Sequence, residues 1–79
     1  MANIKPTFHR DLQPEGNYFT LPICIINKNI IDSLAELLDD YDIPLIGNDI
    51  ICKFHLNYMF IYVHFKNDWN RIDFDLSEF

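Results

Sequence analysis

Two adjacent runs alternate strictly between apolar and mixed positions. In Asp49–Leu56, Ile50, Cys52, Phe54 and Leu56 point one way, and Ile51, Lys53 and His55 the other. In Tyr58–Lys66, Met59, Ile61, Val63 and Phe65 share one side, and Tyr58, Phe60, Tyr62 and His64 the other. A period of two puts alternate side chains on opposite faces of a strand. β-branched and aromatic residues dominate both runs, as pleated surfaces favour. The pair reads as a β-hairpin turning at Asn57-Tyr58, with Leu56 opposite Met59, Phe54 opposite Ile61, Cys52 opposite Val63 and Ile50 opposite Phe65. Asn57 tolerates the positive φ of a tight turn. This register brings both apolar sets onto one side. The reverse side carries the pairs His55–Phe60, Lys53–Tyr62 and Ile51–His64. It is either a second layer covered by the chain termini or a binding surface.

The remaining elements follow from similar patterns. Asn27–Tyr41 has helical periodicity: Ile30, Leu34, Leu37, Leu38 and Tyr41 form one stripe, widened by Ile31 and Ala35. Asn29 is the expected N-cap, with Asp32 three residues on, and Ile43-Pro44 is the expected end. Asn17–Ile26 alternates too. Pro22 cannot donate a ladder hydrogen bond, so this run is expected at a sheet edge. Thr7–Leu12 is a short edge-strand candidate within an otherwise irregular arm, residues 1–16. Gly47-Asn48 reads as a turn, and 66–71, KNDWNR, as a loop holding the lone Trp69. Ile72–Leu76 reads as a last strand, with Ile72, Phe74 and Leu76 inward and Asp73 and Asp75 outward. The expected fold is one α+β domain over residues 1–79: a three- to four-stranded, mainly antiparallel sheet in the order β-α-β-β-β, with one helix on one face.

Composition narrows the functions. A 79-residue chain has a thin stability margin, which its 15% aromatic content offsets. Twelve acidic against six basic residues give a net charge of −6. That argues against direct binding to nucleic-acid phosphates or an anionic membrane, and favours a protein partner with a basic surface. Asp39, Asp40 and Asp42 collect at the helix C-terminus, the wrong end for negative charge. Asp73, Asp75, Glu78 and the terminal carboxylate form a second acidic group. Cys24 and Cys52 lie in apolar runs and read as buried thiols. The N-terminal stretch has no apolar signal-type core, and no run approaches a membrane span, so cytoplasm or host cytoplasm is expected.

No motif fixes a chemistry. His9, His55, His64, Cys24 and Cys52 lack metal-ligand spacing, and His55 and His64 fall too far apart along the ladder to share an ion. Ser33 and Ser77 lie on no nucleophile-type turn, and the two glycines make no phosphate loop. No catalytic, cofactor or metal role is expected. Small acidic chains without catalytic motifs are typical of phage anti-defence inhibitors and bacterial immunity proteins, an analogy of size and charge alone. The expected function is protein binding, inhibitory toward a basic or nucleic-acid-binding protein. Its expected contacts are Tyr58, Phe60, Tyr62, His64 and Trp69, with Asp39, Asp40, Asp42, Asp73 and Asp75. The alternative is a self-associating accessory subunit, a homodimer built through the aromatic face or the Pro22 edge.

Overall fold

The structure, a computed structural model, describes residues 5–45 and 47–78. Five strands form one sheet: β1 (Thr7–Arg10), β2 (Phe19–Pro22), β3 (Asp49–His55), β4 (Tyr58–Phe65) and β5 (Asp68–Asp75). A single α-helix, α1 (Lys28–Asp40), precedes β3, and 3-10 turns follow β2 and β5. The strand order is β1-β5-β4-β3-β2, and every neighbouring pair is antiparallel. The class is α+β as expected, with one strand more than the upper expectation. The added strand is β1, an edge strand formed within the Thr7–Leu12 candidate of an otherwise irregular arm.

The hairpin keeps its faces and shifts its register. Cys52 faces Ile61, Phe54 faces Met59 and His55 faces Tyr58. The turn is therefore Leu56-Asn57, not Asn57-Tyr58, which moves each partner along β4 by two residues. An even displacement leaves every side chain on its own face. The shift lets the Leu76 N–H donate to the Asn57 carbonyl at 2.7 Å, which continues the β4–β5 ladder past the strand end. Leu56 consequently leaves the core face and stands 86% exposed in the turn.

The segment 66–71 is not a loop. Lys66 and Asn67 alone turn the chain, both with positive φ (52° and 67°), and β5 begins at Asp68. Two successive left-handed residues match the right-handed twist of the flanking strands. Trp69 thus belongs to a strand.

The N-cap of helix α1 lies two residues earlier than expected. Asn27, not Asn29, is the N-cap: its Oδ1 accepts from the Asn29 N–H at 2.8 Å. Asn29 already lies inside the first turn. The C-terminus closes before Pro44 acts. Asp42 takes positive φ (56°), its N–H donates to the Asp39 carbonyl (3.1 Å), and the Ile43 N–H donates to the Leu38 carbonyl (2.9 Å). These two bonds make a Schellman motif, with buried Ile43 and Leu38 supplying its apolar contact.

Ile30, Leu34, Leu38 and Ile43 pack onto Ile50, Cys52, Met59, Ile61, Ile72 and Phe74. Ala35 is exposed and does not widen the helix stripe. Cys52 is buried, and burial raises its thiol pKa. Cys24 is exposed, because β2 ends at Pro22 and the chain turns into Ile23–Ile25. The helix covers the core face incompletely: Phe19 and Phe54, with ring centroids 5.8 Å apart, remain about half exposed at its margin.

Candidate protein-binding surfaces

The reverse face of the sheet can be laid out in rows from the strand registers. His9, Arg71, Tyr62, Ile51 and Thr20 form one row across all five strands. Thr7, Asp73, Phe60 and Lys53 form the next. His64 and Trp69 are paired beyond Tyr62 and Arg71, and Tyr58 and Asp75 beyond Phe60 and Asp73.

One diagonal of this face is covered. β1 and β2 are consecutive in the chain yet occupy opposite edges, so Asp11–Tyr18 must cross the whole sheet. Four strand spacings span roughly 19 Å, within reach of eight extended residues. The strap crosses on the reverse side: the Lys53 Nζ donates to the Glu15 carbonyl at 3.1 Å, and Leu12 and Gln13 share a cavity with Trp69. Positive φ at Asp11 (61°) and Gly16 (70°) turns the strap at either end. Tyr62 is accordingly buried, 6% exposed, and is not available as a partner contact. A covered layer was one of the two expectations for this face. The segment that covers it is the crossing connection, not a terminus.

The uncovered corner holds the other rings. Phe60 stacks with His55 (6.0 Å) and Tyr58 (6.2 Å), and Arg71 Cζ stands 4.1 Å from the Phe60 ring centroid. The Arg71 guanidinium donates from Nε to Asp73 Oδ1 (2.7 Å) and from its terminal nitrogen to Oδ2 (3.0 Å). His9 Nε2 lies 3.1 Å from the same Oδ2. His64 is exposed and stacks on half-buried Trp69 at 4.6 Å.

The second acidic group does not act as a group. Asp73 is occupied by Arg71 and His9. Asp75 accepts from the Ser77 Oγ (2.6 Å) and N–H (3.0 Å), and these bonds, the hydroxyl first, hold its pKa below the usual carboxylate value. The terminal carboxylate on Phe79 lies outside the described residues. Asp39, Asp40 and Asp42 do stand together, exposed at the helix end. They lie on the helix side of the sheet, opposite Tyr58, Phe60 and His64. The expected aromatic and acidic contacts are therefore two separate surfaces.

Sequence pattern missed Arg71 and His9, whose roles come from strands distant in the chain. It also missed the exposed pair Phe19 and Phe54. Among the described residues no group of three or more His, Cys, Asp or Glu could hold a metal ion. Among the described residues no helix is long and apolar enough to cross a membrane. In comparisons with family models, curated proteins and solved structures, nothing matches this chain.

Proposed function

We propose that this chain is a small acidic protein-binding module that inhibits a basic or nucleic-acid-binding protein by occupying its positive surface. The observation that carries the proposal is the helix C-terminus. Asp39, Asp40 and Asp42 sit where the macrodipole is negative, and Asp42 also takes a left-handed conformation that glycine would adopt without strain. Among the described residues the only ion pairs within 4 Å involve Asp73, so these three carboxylates have no basic partner of their own. The Schellman bonds account for the left-handed backbone at Asp42 but not for three carboxylates at the negative helix end, and a local rule broken in this way points to a role outside the fold.

The test is capture of partners by the intact protein across a salt series, beside the triple variant Asp39→Asn, Asp40→Asn, Asp42→Asn. The proposal expects retention that falls steeply with added salt and is lost in the variant. Equal, salt-insensitive retention by both proteins refutes it.

A second reading rests on the exposed ring pair. Phe19 and Phe54 are about half exposed with ring centroids 5.8 Å apart, a grouping suited to a two-fold contact between copies. It predicts a dimer that persists at high salt and is split by Phe54→Glu.

A further inference from the structure

We propose that the outer edge of β1 accepts an added strand: a basic, extended segment of the partner protein, bound between the β1 backbone and the carboxylates of Asp39, Asp40 and Asp42. The inference rests on the reading above that the partner is basic, and adds how it is held.

The hydrogen-bond phase of the sheet decides which backbone groups are free. Residues opposite each other in an antiparallel pair alternate between bonded and non-bonded rungs. The Leu76 N–H bonds the Asn57 carbonyl, and 57 faces 76 in the β4–β5 register, so this rung is bonded. Counting along β5, Ile72 and Phe74 direct their backbone groups to β4, while Arg71 and Asp73 direct theirs to β1. In the β1–β5 register their partners are His9 and Thr7. The N–H and C=O of Phe8 and Arg10 therefore point away from the sheet, along an edge that no strand covers among the described residues.

The other edge offers fewer donors by the same logic. The Ile23 N–H bonds the Asn48 carbonyl, so Pro22–Asp49 is a non-bonded rung and Pro22 faces outward. Its missing N–H costs the sheet nothing and leaves Thr20 as the lone outward donor within β2. A proline so placed blunts an edge against further pairing. The expected dimer through the Pro22 edge is disfavoured for this reason.

Charge selects the occupant of the open edge. The helix end lies over β1, shown by Phe8 and Tyr41 stacked at 3.9 Å and by a cavity that Arg10, Asp42 and Lys66 all line. Asp42 and Asp68 line this cavity with Arg10 and Lys66, and Asp39 and Asp40 stand on the same helix end, so four carboxylates face two cations on that side. An added strand would direct every second side chain toward them. Lysine or arginine at those positions meets Asp39, Asp40 and Asp42, and the exposed Tyr41 ring offers a shelf for their aliphatic stems. A second copy is the poorer occupant, because a two-fold at His9 would bring two such acidic ends together.

The test uses the full-length protein and the probe peptide acetyl-Lys-Val-Lys-Thr-Lys-Val-Lys-amide. A control peptide has the same four lysines separated by prolines. Amide exchange is followed by NMR, with the variant Arg10→Pro and the triple aspartate-to-asparagine variant alongside. Arg10→Pro removes an outward N–H and a positive charge, so a loss of affinity for a cationic peptide cannot come from charge. The expected result is slowing of the Phe8 and Arg10 amides by roughly tenfold or more at saturation, with weaker binding of the proline control and of both variants. If both peptides bind equally, and the two amides exchange as before, strand addition is wrong while the basic-partner reading stands. If neither peptide binds at low salt, both fail. Should Arg10→Pro not fold, exchange in the unmodified protein decides alone.

Discussion

Arg71 Cζ stands 4.1 Å from the centroid of the Phe60 ring on the neighbouring strand, and the Asp73 carboxylate fixes it there with two hydrogen bonds. Arg71 and Phe60 lie diagonally across the β4–β5 ladder, since Phe60 faces Asp73 and Tyr62 faces Arg71. A planar guanidinium can bind a carboxylate along one edge and present its face to a ring; an ammonium cannot do both. Arg71→Lys should therefore destabilise the fold by about 1 kcal/mol, and Arg71→Ala by about 1–3 kcal/mol because Asp73 is left mostly buried with His9 alone. Urea unfolding measures both. Equal stability of wild type and Arg71→Ala would mean that the pair only decorates the face.

Asp42 is the residue most at odds with its place. Replacing it with glycine relieves a left-handed aspartate and removes a charge from the negative helix end. Asp42→Gly should gain about 1 kcal/mol in urea unfolding, while lowering retention of a basic partner. A destabilised Asp42→Gly protein would show that the carboxylate serves the fold.

Leu56 makes a similar case at the hairpin tip. It holds φ of 54° with almost no packing in return. Leu56→Asn keeps a residue that tolerates this conformation without glycine's added chain entropy. It should raise stability by about 0.5–1 kcal/mol. Urea unfolding measures the change, and a destabilised variant would show that Leu56 packs at the tip.

How much of this was legible in the sequence depends on the range of each interaction. The faces of Ile50–His55 and of Tyr58–Val63 followed from alternation alone, and the helix stripe of Ile30, Leu34 and Leu38 from its period. Register did not follow, because a shift of two residues preserves both faces and leaves no mark on the pattern. The Lys66-Asn67 turn carries no glycine or proline, so Trp69 was read into a loop. Tyr62 looked open because the strap that buries it arrives from residues 11–18, and Asp73 looked wet because His9 comes from the far edge strand. The first two misses are local and leave no mark on the pattern; the last two are contacts between segments distant in the chain.

Asp75 gives the acid behaviour a location. Its bonds from Ser77 lower its folded pKa, so the stabilisation it provides is complete above the unfolded carboxylate value of about 3.9 and is lost as pH falls through the lower folded value. Ser77→Ala should return the Asp75 titration, followed by NMR of its side-chain carbonyl carbon, toward the ordinary range. An unchanged midpoint would rule out the hydroxyl as the cause.

The two thiols should separate folded from unfolded chains. Cys24 is exposed in the turn after β2, whereas Cys52 lies in the core between the β2 and β4 ladders. Thiolate is the reactive form, and burial raises the Cys52 pKa, so both access and ionisation protect it. A thiol reagent should label Cys24 rapidly in the native protein and reach Cys52 only through opening of the sheet. The raised pKa has a stability consequence of definite sign. The folded chain keeps its Cys52 proton where the unfolded chain has lost it, so this contribution is present below the unfolded thiol pKa and declines as pH rises above it. Labelling of Cys52 should then speed up in alkaline solution beyond the gain expected from thiolate chemistry alone. Phe74→Ala, which opens a cavity in the same core, should accelerate Cys52 labelling and leave Cys24 unchanged. Equal labelling of both cysteines in the native protein would place Cys52 outside the core and overturn the sheet packing described above.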